Sequence, residues 1–80
     1  MQISVRVFAM VKNYFEPQFL LELPARSSVQ YVVQKMLEKN PESRETLSRC
    51  RMAIGTEIVK TDRILQPGEE VCFLPPSSGG

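Results

Sequence analysis

The sequence has 80 residues, with ten basic and nine acidic side chains and a formal net charge of +1. A chain of this length forms one domain, and its near-neutral charge creates no single-signed field that would attract nucleic acid or an anionic membrane. Its hydrophobic runs are shorter than the roughly 20 residues of a membrane-spanning helix, and its first residues lack a signal-peptide pattern. We therefore expect a cytoplasmic protein that binds neither nucleic acid nor membrane.

The composition also argues against metal chemistry. The chain has two cysteines, Cys50 and Cys72, and no histidine. The two cysteines lack the spacing of metal ligands, and no imidazole is available to complete a mixed site or to act as a general base. We expect no metal site.

Two segments near the amino terminus alternate with the period of a β-strand. Apolar residues occupy every second position from Ile3 to Val11, which predicts a strand with one face on a core. The same alternation runs from Phe19 to Leu23, after the turn-like stretch NYFEPQ, and Pro24 ends it. Together the two segments predict a β-hairpin.

The apolar period changes to that of an α-helix between residues 27 and 40. Ser27 and Gln30 match a capping box, and Asn40 before Pro41 ends the helix because the residue before proline avoids the α region. The polar stretch PESRETLSR is compatible with a short second helical turn in which Leu47 points inward. The predicted apolar stripe of the main helix consists of Val29, Val32, Val33, Met36 and Leu37.

The last third of the chain predicts short strands at CRMAIG, at EIV and from Val71 to Leu74, the last of them after a Pro-Gly turn. A helix between a hairpin and a later strand predicts that the final strand lies beside the first. The expected fold class is therefore α+β, a mixed sheet covered by one main helix. We divide the chain into a domain at residues 1–76 and a flexible carboxyl-terminal tail at residues 77–80.

The sequence closes with PPSSGG. Pro75 and Pro76 supply no backbone N–H, so strand pairing should stop at Leu74 and the chain should leave the sheet as an extended spacer. Gly79 and Gly80 form the slimmest possible backbone, able to enter a tunnel where any Cβ would collide. The α-carboxylate of Gly80 is anionic at neutral pH and needs activation by another protein to act as an acyl donor. A frayed terminus is the alternative.

Nearly the whole chain resembles the small subunits of molybdopterin synthase, which are sulfur carriers of the ubiquitin-like β-grasp superfamily. The resemblance rests on VRVFAMVK in the first strand, LQPGEEVCFLPP before the tail and PPSSGG at the end. It implies that an E1-like adenylyltransferase uses ATP to adenylate Gly80, and that a sulfur donor protein then supplies the persulfide sulfur of a thiocarboxylate. The large subunit of a heterotetrameric synthase would pass this sulfur to cyclic pyranopterin monophosphate. The resemblance implies no permanently bound cofactor, and it makes the chain a sulfur-donating subunit rather than an enzyme by itself.

The resemblance further implies a partner-binding surface, which we predict to be a docking patch for both the large subunit and the E1-like enzyme. Apolar residues matching Phe8, Ile58 and Leu74 contribute to such a surface in the family, and we add Met10 because the strand prediction places it on the same face as Phe8. Chance exposure of apolar side chains is the alternative. The predicted surface continues into the tail through Pro75, Pro76, Ser77 and Ser78.

For the cysteines, the paired glutamates and the basic residues, we expect structural roles and not catalytic ones. Cys72 lies in an apolar strand and should be inert, whereas Cys50, between two arginines, would have a depressed pKa only if exposed. Glu69 and Glu70 follow the Pro-Gly turn and are expected to be solvated turn charges. The basic residues that follow the helix are expected to form a solvated face, and they are Arg49, Arg51, Lys60 and Arg63.

Three other functions stay open at this point. The first is a ubiquitin-like modifier whose Gly80 is joined to lysine side chains of target proteins. The second is a sulfur carrier for thiamine thiazole synthesis or tRNA thiolation, which would share the fold and the activation but not the sulfur acceptor. The third is a purely structural interaction domain, which would tolerate loss of Gly80.

Overall fold

The structure is a computed structural model that describes residues 1–76. Five β-strands form one sheet in the order β2-β1-β5-β3-β4. The strands are β1 (Gln2–Val7), β2 (Gln18–Glu22), β3 (Arg51–Ile54), β4 (Glu57–Val59) and β5 (Glu70–Leu74). The helices are α1 (Val29–Lys39) and α2 (Arg44–Ser48), with 3-10 turns at Ala9–Asn13 and Pro41–Ser43.

The strand pairing confirms the predicted hairpin and the return of the final strand beside the first. β1 pairs antiparallel with β2, with Ile3 opposite Leu21. β1 also pairs parallel with β5, with Val5 opposite Val71, and β3 pairs antiparallel with both β4 and β5. The sheet is therefore mixed, as predicted, and β5 lies at its centre.

One face of the sheet packs against α1 and forms the core. Successive side chains of a strand point to opposite faces, so one set of alternating residues from each strand faces the helix. The residues that are almost fully buried include Ile3, Val5, Val7, Val29, Val32, Met36, Val71 and Phe73. The predicted helical stripe supplies three of them, while Val33 and Leu37 are partly buried at the margin of the core.

The first strand is shorter than predicted. β1 ends at Val7, and the 3-10 turn of Ala9–Asn13 replaces the predicted strand end at Val11. The cause is local, since Ala9 has a φ of +53°, a left-handed conformation that turns the chain out of the sheet. Val11 is nonetheless buried, because the 3-10 turn directs it back into the core.

The predicted capping box of α1 is wrong. The N-cap residue is Ser28, which makes no side-chain cap hydrogen bond. Ser27 is buried, and its hydroxyl donates to the carbonyl oxygen of Pro24 at 2.7 Å. The end of the helix agrees with the prediction, because α1 stops at Lys39 with Asn40 as its C-cap.

Backbone carbonyl groups from a distant loop take the place of the side-chain cap. The N–H of Val29 donates to the carbonyl of Arg63 at 2.9 Å, and the N–H of Gln30 donates to the carbonyl of Thr61 at 2.9 Å. These bonds satisfy helix N–H groups that would otherwise lack partners. The helix start is therefore fixed by tertiary contact with the segment between β4 and β5.

The polar stretch after α1 is helical, as the sequence allowed. The 3-10 turn of Pro41–Ser43 leads directly into α2, and Leu47 is buried as predicted. Among residues 1–76, no helix combines the length and apolar character that a bilayer crossing requires.

Candidate functional site

The candidate site begins where β5 leaves the sheet. β5 lies between β1 and β3 and ends at Leu74, and Pro75 and Pro76 follow it as exposed residues. Because a central strand is held on both sides, the starting point of the tail is fixed relative to the sheet. The predicted tail residues Ser77, Ser78, Gly79 and Gly80 lie outside the described residues.

The face of the sheet opposite α1 carries three of the predicted partner-binding residues. In the strand register, Cys72 of β5 lies opposite Ala53 of β3, which lies opposite Ile58 of β4. Directly opposite residues point to the same face, and two strand spacings amount to about 10 Å. Ile58 is 59% exposed and therefore lies on the outer face, about 10 Å from β5.

Phe8 and Leu74 lie on the same outer face. Phe8 follows the paired position of Val7 and Phe73, and its backbone is still extended, with a φ of −132°. Continuing the register by one residue places Phe8 beside Leu74, where it is 37% exposed. We name the surface formed by Phe8, Ile58 and Leu74 the docking face.

Met10 does not belong to this strand face, and that part of the prediction is wrong. It lies in the 3-10 turn of Ala9–Asn13, because the left-handed Ala9 ends the strand pattern, and it is 68% exposed. Met10 instead borders a cleft of about 390 Å³ at the base of the tail. We name it the tail-base cleft, and the residues that line it include Met10, Glu42, Glu45, Cys50, Pro75 and Pro76.

A polar network on the outer face joins β1, β2 and β5. The Glu70 carboxylate accepts hydrogen bonds from Ser4 Oγ at 2.8 Å, Gln18 Nε2 at 2.7 Å and Arg6 Nε at 3.2 Å. The hydrogen bond from Ser4 and the charge of Arg6 hold the pKa of Glu70 below its usual range. Glu70 is therefore a bonded part of the sheet, and its prediction as a solvated turn charge is wrong.

Glu69 is also held in place. Arg63 Nη1 and Nη2 donate to its two carboxylate oxygens at 2.7 and 2.9 Å, and the N–H of Gln66 donates at 2.7 Å. The Arg63 hydrogen bond lowers the pKa of Glu69. Two charges that were predicted to be solvated form a bidentate pair, which ties the turn before β5 to the loop that caps α1.

Neither cysteine is activated. Cys50 is half-buried, its Sγ donates to the Thr46 carbonyl at 3.3 Å, and burial raises the pKa of its thiol. Burial also raises the pKa of the Cys72 thiol, and the Glu70 carboxylate adds to this shift. Both are free thiols, and residues 1–76 contain no cluster of three or more metal-ligating side chains.

Sequence reasoning missed the tail-base cleft. Glu42 and Glu45 lie in the short helical segments that follow α1, and Pro75 lies some thirty residues further along the chain. Helical spacing predicts that the two glutamates lie on one face of a helix. No local sequence pattern predicts that this face lies near the end of β5. The left-handed Ala9 that shapes the opposite wall also has no sequence signal, since alanine rarely adopts this conformation.

Two curated relatives match almost the whole chain. The molybdopterin synthase sulfur carrier subunit of Arabidopsis thaliana is 29% identical over 80 residues, covering 99% of this chain and 83% of the relative. The protein of the same name from Mycobacterium tuberculosis is 27% identical over 81 residues, covering 99% of this chain and 98% of the relative.

Solved structures share the fold at low sequence identity. SAMP1 from Haloferax volcanii matches with a TM-score of 0.85 and 13% identity, and each chain is covered completely. A complex of subunits 1 and 2 of molybdopterin-converting factor from Helicobacter pylori matches with a TM-score of 0.72 and 23% identity, again over 100% of both chains. These likenesses establish the ubiquitin-like β-grasp fold. The ThiS family model matches residues 5–80, from the first strand to the two glycines, and the chain therefore belongs to the ThiS family.

Proposed function

We propose that this protein is a sulfur carrier that acts as the small subunit of molybdopterin synthase in the cytoplasm. The observation that carries the proposal is the family match over residues 5–80, which includes the central strand, the two prolines and Gly79-Gly80. The names of the two curated relatives support the same assignment. The two free thiols are compatible with a reducing compartment.

The first chemical step activates the carboxylate of Gly80. A carboxylate is a poor electrophile, so one of its oxygens attacks the α-phosphorus of ATP on an E1-like adenylyltransferase, and pyrophosphate leaves. The acyl adenylate then carries AMP as its leaving group.

The second step places sulfur on the acyl carbon. A persulfide of a donor protein displaces AMP, and a thiol cleaves the resulting S–S bond to leave the thiocarboxylate. This sulfur is softer and more nucleophilic than the oxygen it replaces. Inserted into the large subunit, it would attack cyclic pyranopterin monophosphate, and two charged carriers would provide the two sulfur atoms of one dithiolene.

The docking face supports a function in which this protein supplies the reacting atom and a partner protein supplies the active site. Phe8 and Leu74 lie at the end of the sheet from which the tail departs, and Ile58 extends the apolar surface across two further strands. Exposed apolar side chains in one patch favour a protein partner. The partner would then hold the domain by this face while the tail enters its active site.

The test is intact-mass spectrometry of the full chain. The protein is incubated with ATP, the E1-like enzyme and a sulfur donor, and then with the large subunit and cyclic pyranopterin monophosphate. Replacement of oxygen by sulfur at the α-carboxyl group adds about 16 mass units. We expect this gain at Gly80, and we expect it to disappear when the large subunit and the precursor are added.

A variant that lacks Gly80 is compared with Glu38→Gln, an exposed change on α1 outside the predicted partner-binding surface, and only the first should fail to gain mass. Each alternative gives its own result. A gain that persists after addition of the large subunit would redirect the assignment to thiamine or tRNA thiolation. Covalent adducts with lysine side chains would indicate a protein modifier, and absence of any gain would refute the carrier function.

A further inference from the structure

The strand β2 forms one edge of the sheet, and its outer side is open. β2 pairs with β1, and within residues 1–76 no second strand lies beside it. The N–H of Leu23 donates to the carbonyl of Met1 at 2.8 Å, so this residue faces β1. In an antiparallel pair, every second residue of a strand bonds to the partner strand. The backbone N–H and C=O groups of Gln18, Leu20 and Glu22 therefore point away from β1, toward the open side.

This edge lacks most of the features that protect a sheet edge from pairing. Natural edge strands are blunted by lysine, proline, a β-bulge or a very short length. The five residues Gln18–Glu22 include no lysine or proline, and they pair with β1 in an unbroken register. Leu20, in the middle of the strand, is 59% exposed. The opposite edge strand, β4, has only three residues. β2 is therefore the edge that can accept a further strand.

The open edge of β2 is complementary to a second copy of itself. In an antiparallel β2–β2 pair centred on Leu20, the two Leu20 residues lie directly opposite each other, and Gln18 lies opposite Glu22 of the second copy. Each such pair exchanges two N–H···O bonds, so the outward residues of both chains form about six intermolecular hydrogen bonds. On the other face of the sheet, Phe19 lies opposite Leu21 and adds an apolar cross-strand pair.

Other symmetric registers of the same two strands are less favourable. A pair centred on Glu22 places two carboxylates directly opposite each other, which destabilises it. It also brings Pro24, which has no backbone N–H, into the ladder. A pair centred on Gln18 leaves Leu20 and Glu22 opposite residues that precede the strand. Only the register centred on Leu20 pairs all three outward residues within the strand and opposes no like charges.

We propose that β2 is a homodimerisation strand, and that two copies of this protein join their sheets by antiparallel β2–β2 pairing centred on Leu20. The two-fold axis of this dimer is perpendicular to the sheet, so the docking faces of both copies lie on the same side. None of the docking-face residues belongs to β2, and the pairing uses none of them. The inference is independent of the proposed function.

The dimer should be weak, because strands of five residues bury less than the roughly 1,200 Å² of a stable protein–protein interface. We expect a dissociation constant on the order of 100 µM. Sedimentation equilibrium of the full-length chain measures this association. Wild type should have the monomer mass of 9.1 kDa at about 10 µM and should approach twice that mass at about 1 mM.

Substitutions of Leu20 test the register, because the two-fold axis places this residue opposite itself. Leu20→Lys and Leu20→Glu should each raise the dissociation constant about tenfold or more, since like charges then lie directly opposite each other. An equimolar mixture of the two variants should associate again, because opposite charges then meet. Ile64→Lys is the control, since Ile64 is 48% exposed and lies outside β2. Thermal unfolding checks that the variants stay folded.

Amide NMR of the wild-type protein locates the interface without any substitution. The N–H signals of Gln18, Leu20 and Glu22 should shift between the monomer and dimer concentrations, because these groups gain hydrogen-bond acceptors. The N–H signals of β4, at Glu57–Val59, should stay unchanged, since the second edge of the sheet takes no part in the pairing.

Four results would overturn the inference. In the first, wild type stays monomeric at about 1 mM. In the second, Ile64→Lys weakens the association as much as Leu20→Lys does. In the third, the mixture of the two Leu20 variants fails to associate. In the fourth, wild type is monomeric and Leu20→Lys lowers its affinity for the large subunit, which would assign the edge to that partner. Sulfur loading is measured separately by intact mass, so failure of the dimer leaves the proposed function unaffected.

Discussion

Gly68 shows how a single residue sets the geometry before the central strand. Its φ is +81°, and its N–H donates to the carbonyl of Gln2 at 2.9 Å, so the turn before β5 is tied to the start of β1. The space around an added Cβ is open, so the constraint comes from the backbone conformation alone. Any loss of stability on substitution of Gly68 would therefore come from the backbone conformation and not from a steric clash.

We expect Gly68→Ala to lower the free energy of unfolding by about 1 kcal/mol, because the left-handed region disfavours a residue with a Cβ. Gly68→Asn should cost less, since asparagine tolerates this region better than alanine. Urea unfolding of the three proteins measures both values. Equal stability of wild type and Gly68→Ala would contradict the assigned turn conformation.

The two cysteines are expected to be dispensable for sulfur loading. Burial raises the pKa of both thiols, so thiolate, which is the nucleophile, is scarce at neutral pH. Cys50→Ala and Cys72→Ala should therefore reach the wild-type yield of thiocarboxylate at saturating carrier concentration. Intact mass is the measurement. A folded variant that gains no mass would place that thiol in the sulfur pathway.

Among the secondary-structure elements, α1 depends on a distant loop for its start. The carbonyl groups of Thr61 and Arg63 accept from the first N–H groups of the helix, and the bidentate pair of Arg63 and Glu69 fixes that loop to the turn before β5. Residues far apart in sequence thus replace the local cap that the sequence suggested.

Two neighbouring serines should respond differently to substitution. Ser28→Ala should change the free energy of unfolding by less than about 0.5 kcal/mol, below the loss of about 1 kcal/mol at an ordinary N-cap, because Ser28 makes no cap bond. Ser27→Ala should cost about 1 kcal/mol, since it removes a buried hydrogen bond to Pro24. Chemical denaturation measures both. A larger loss at Ser28 than at Ser27 would contradict this description of the helix start.

The Glu70 network predicts how the sheet responds to acid. The pKa of Glu70 is lowered in the folded state from its ordinary value of 4.5, so the unfolded chain takes up the proton first as pH falls. The network therefore stabilises the fold above about pH 4.5, and this contribution is lost as pH falls below that value through the folded pKa. Glu70→Gln removes the titrating group from the network.

We expect Glu70→Gln to have a shallower fall in stability between about pH 5 and pH 3 than wild type. Urea unfolding at a series of pH values measures the slope. Glu38→Gln serves as the control, because Glu38 is exposed on α1 and makes only a 3.7 Å ion pair with Lys35. Identical slopes for wild type and Glu70→Gln would mean that the network does not shift the titration.

At the scale of the whole molecule, the sheet presents one face to the core and carries the proposed docking face on the other. Phe73 is buried under α1, whereas its neighbour Leu74 lies on the docking face. Alternation along one strand therefore links the stability of the domain to the position of the proposed docking face. The strand also sets where the tail begins.

Loss of the docking face should weaken binding to the large subunit. We expect Phe8→Ser and Ile58→Ser each to raise the dissociation constant by about tenfold or more, because apolar anchors near the centre of an interface carry most of its binding energy. Ile64→Ser is the control, since Ile64 is 48% exposed and lies outside the docking face. Isothermal titration calorimetry measures the affinities. Wild-type affinity in both docking-face variants would refute this surface.

Several features of the fold and site follow from sequence patterns. The hairpin, the stripe of α1, the short strands and the position of β5 all have a local period or a topological rule behind them. The outward position of Leu74 follows from alternation along β5. The tail chemistry that we propose rests on the residue types alone, since Pro-Pro stops strand pairing and Gly-Gly offers a slim backbone. These features depend on residues that are close together in the sequence, and the spacing of apolar and polar residues therefore predicts them.

Other features were decided only by tertiary structure. Ala9 adopts a left-handed conformation that no propensity predicts, and it moves Met10 from a strand face to the wall of a cleft. Glu69 and Glu70 are bonded rather than solvated because Arg63, Ser4 and Arg6 reach them from distant segments. The start of α1 is likewise set by the loop of Thr61. The sequence by itself determined the elements and carries the proposed reacting end, because these depend on local backbone preference and residue chemistry. The tertiary structure decided which polar groups pair and where the cleft lies, because those energies arise between residues that only folding brings together.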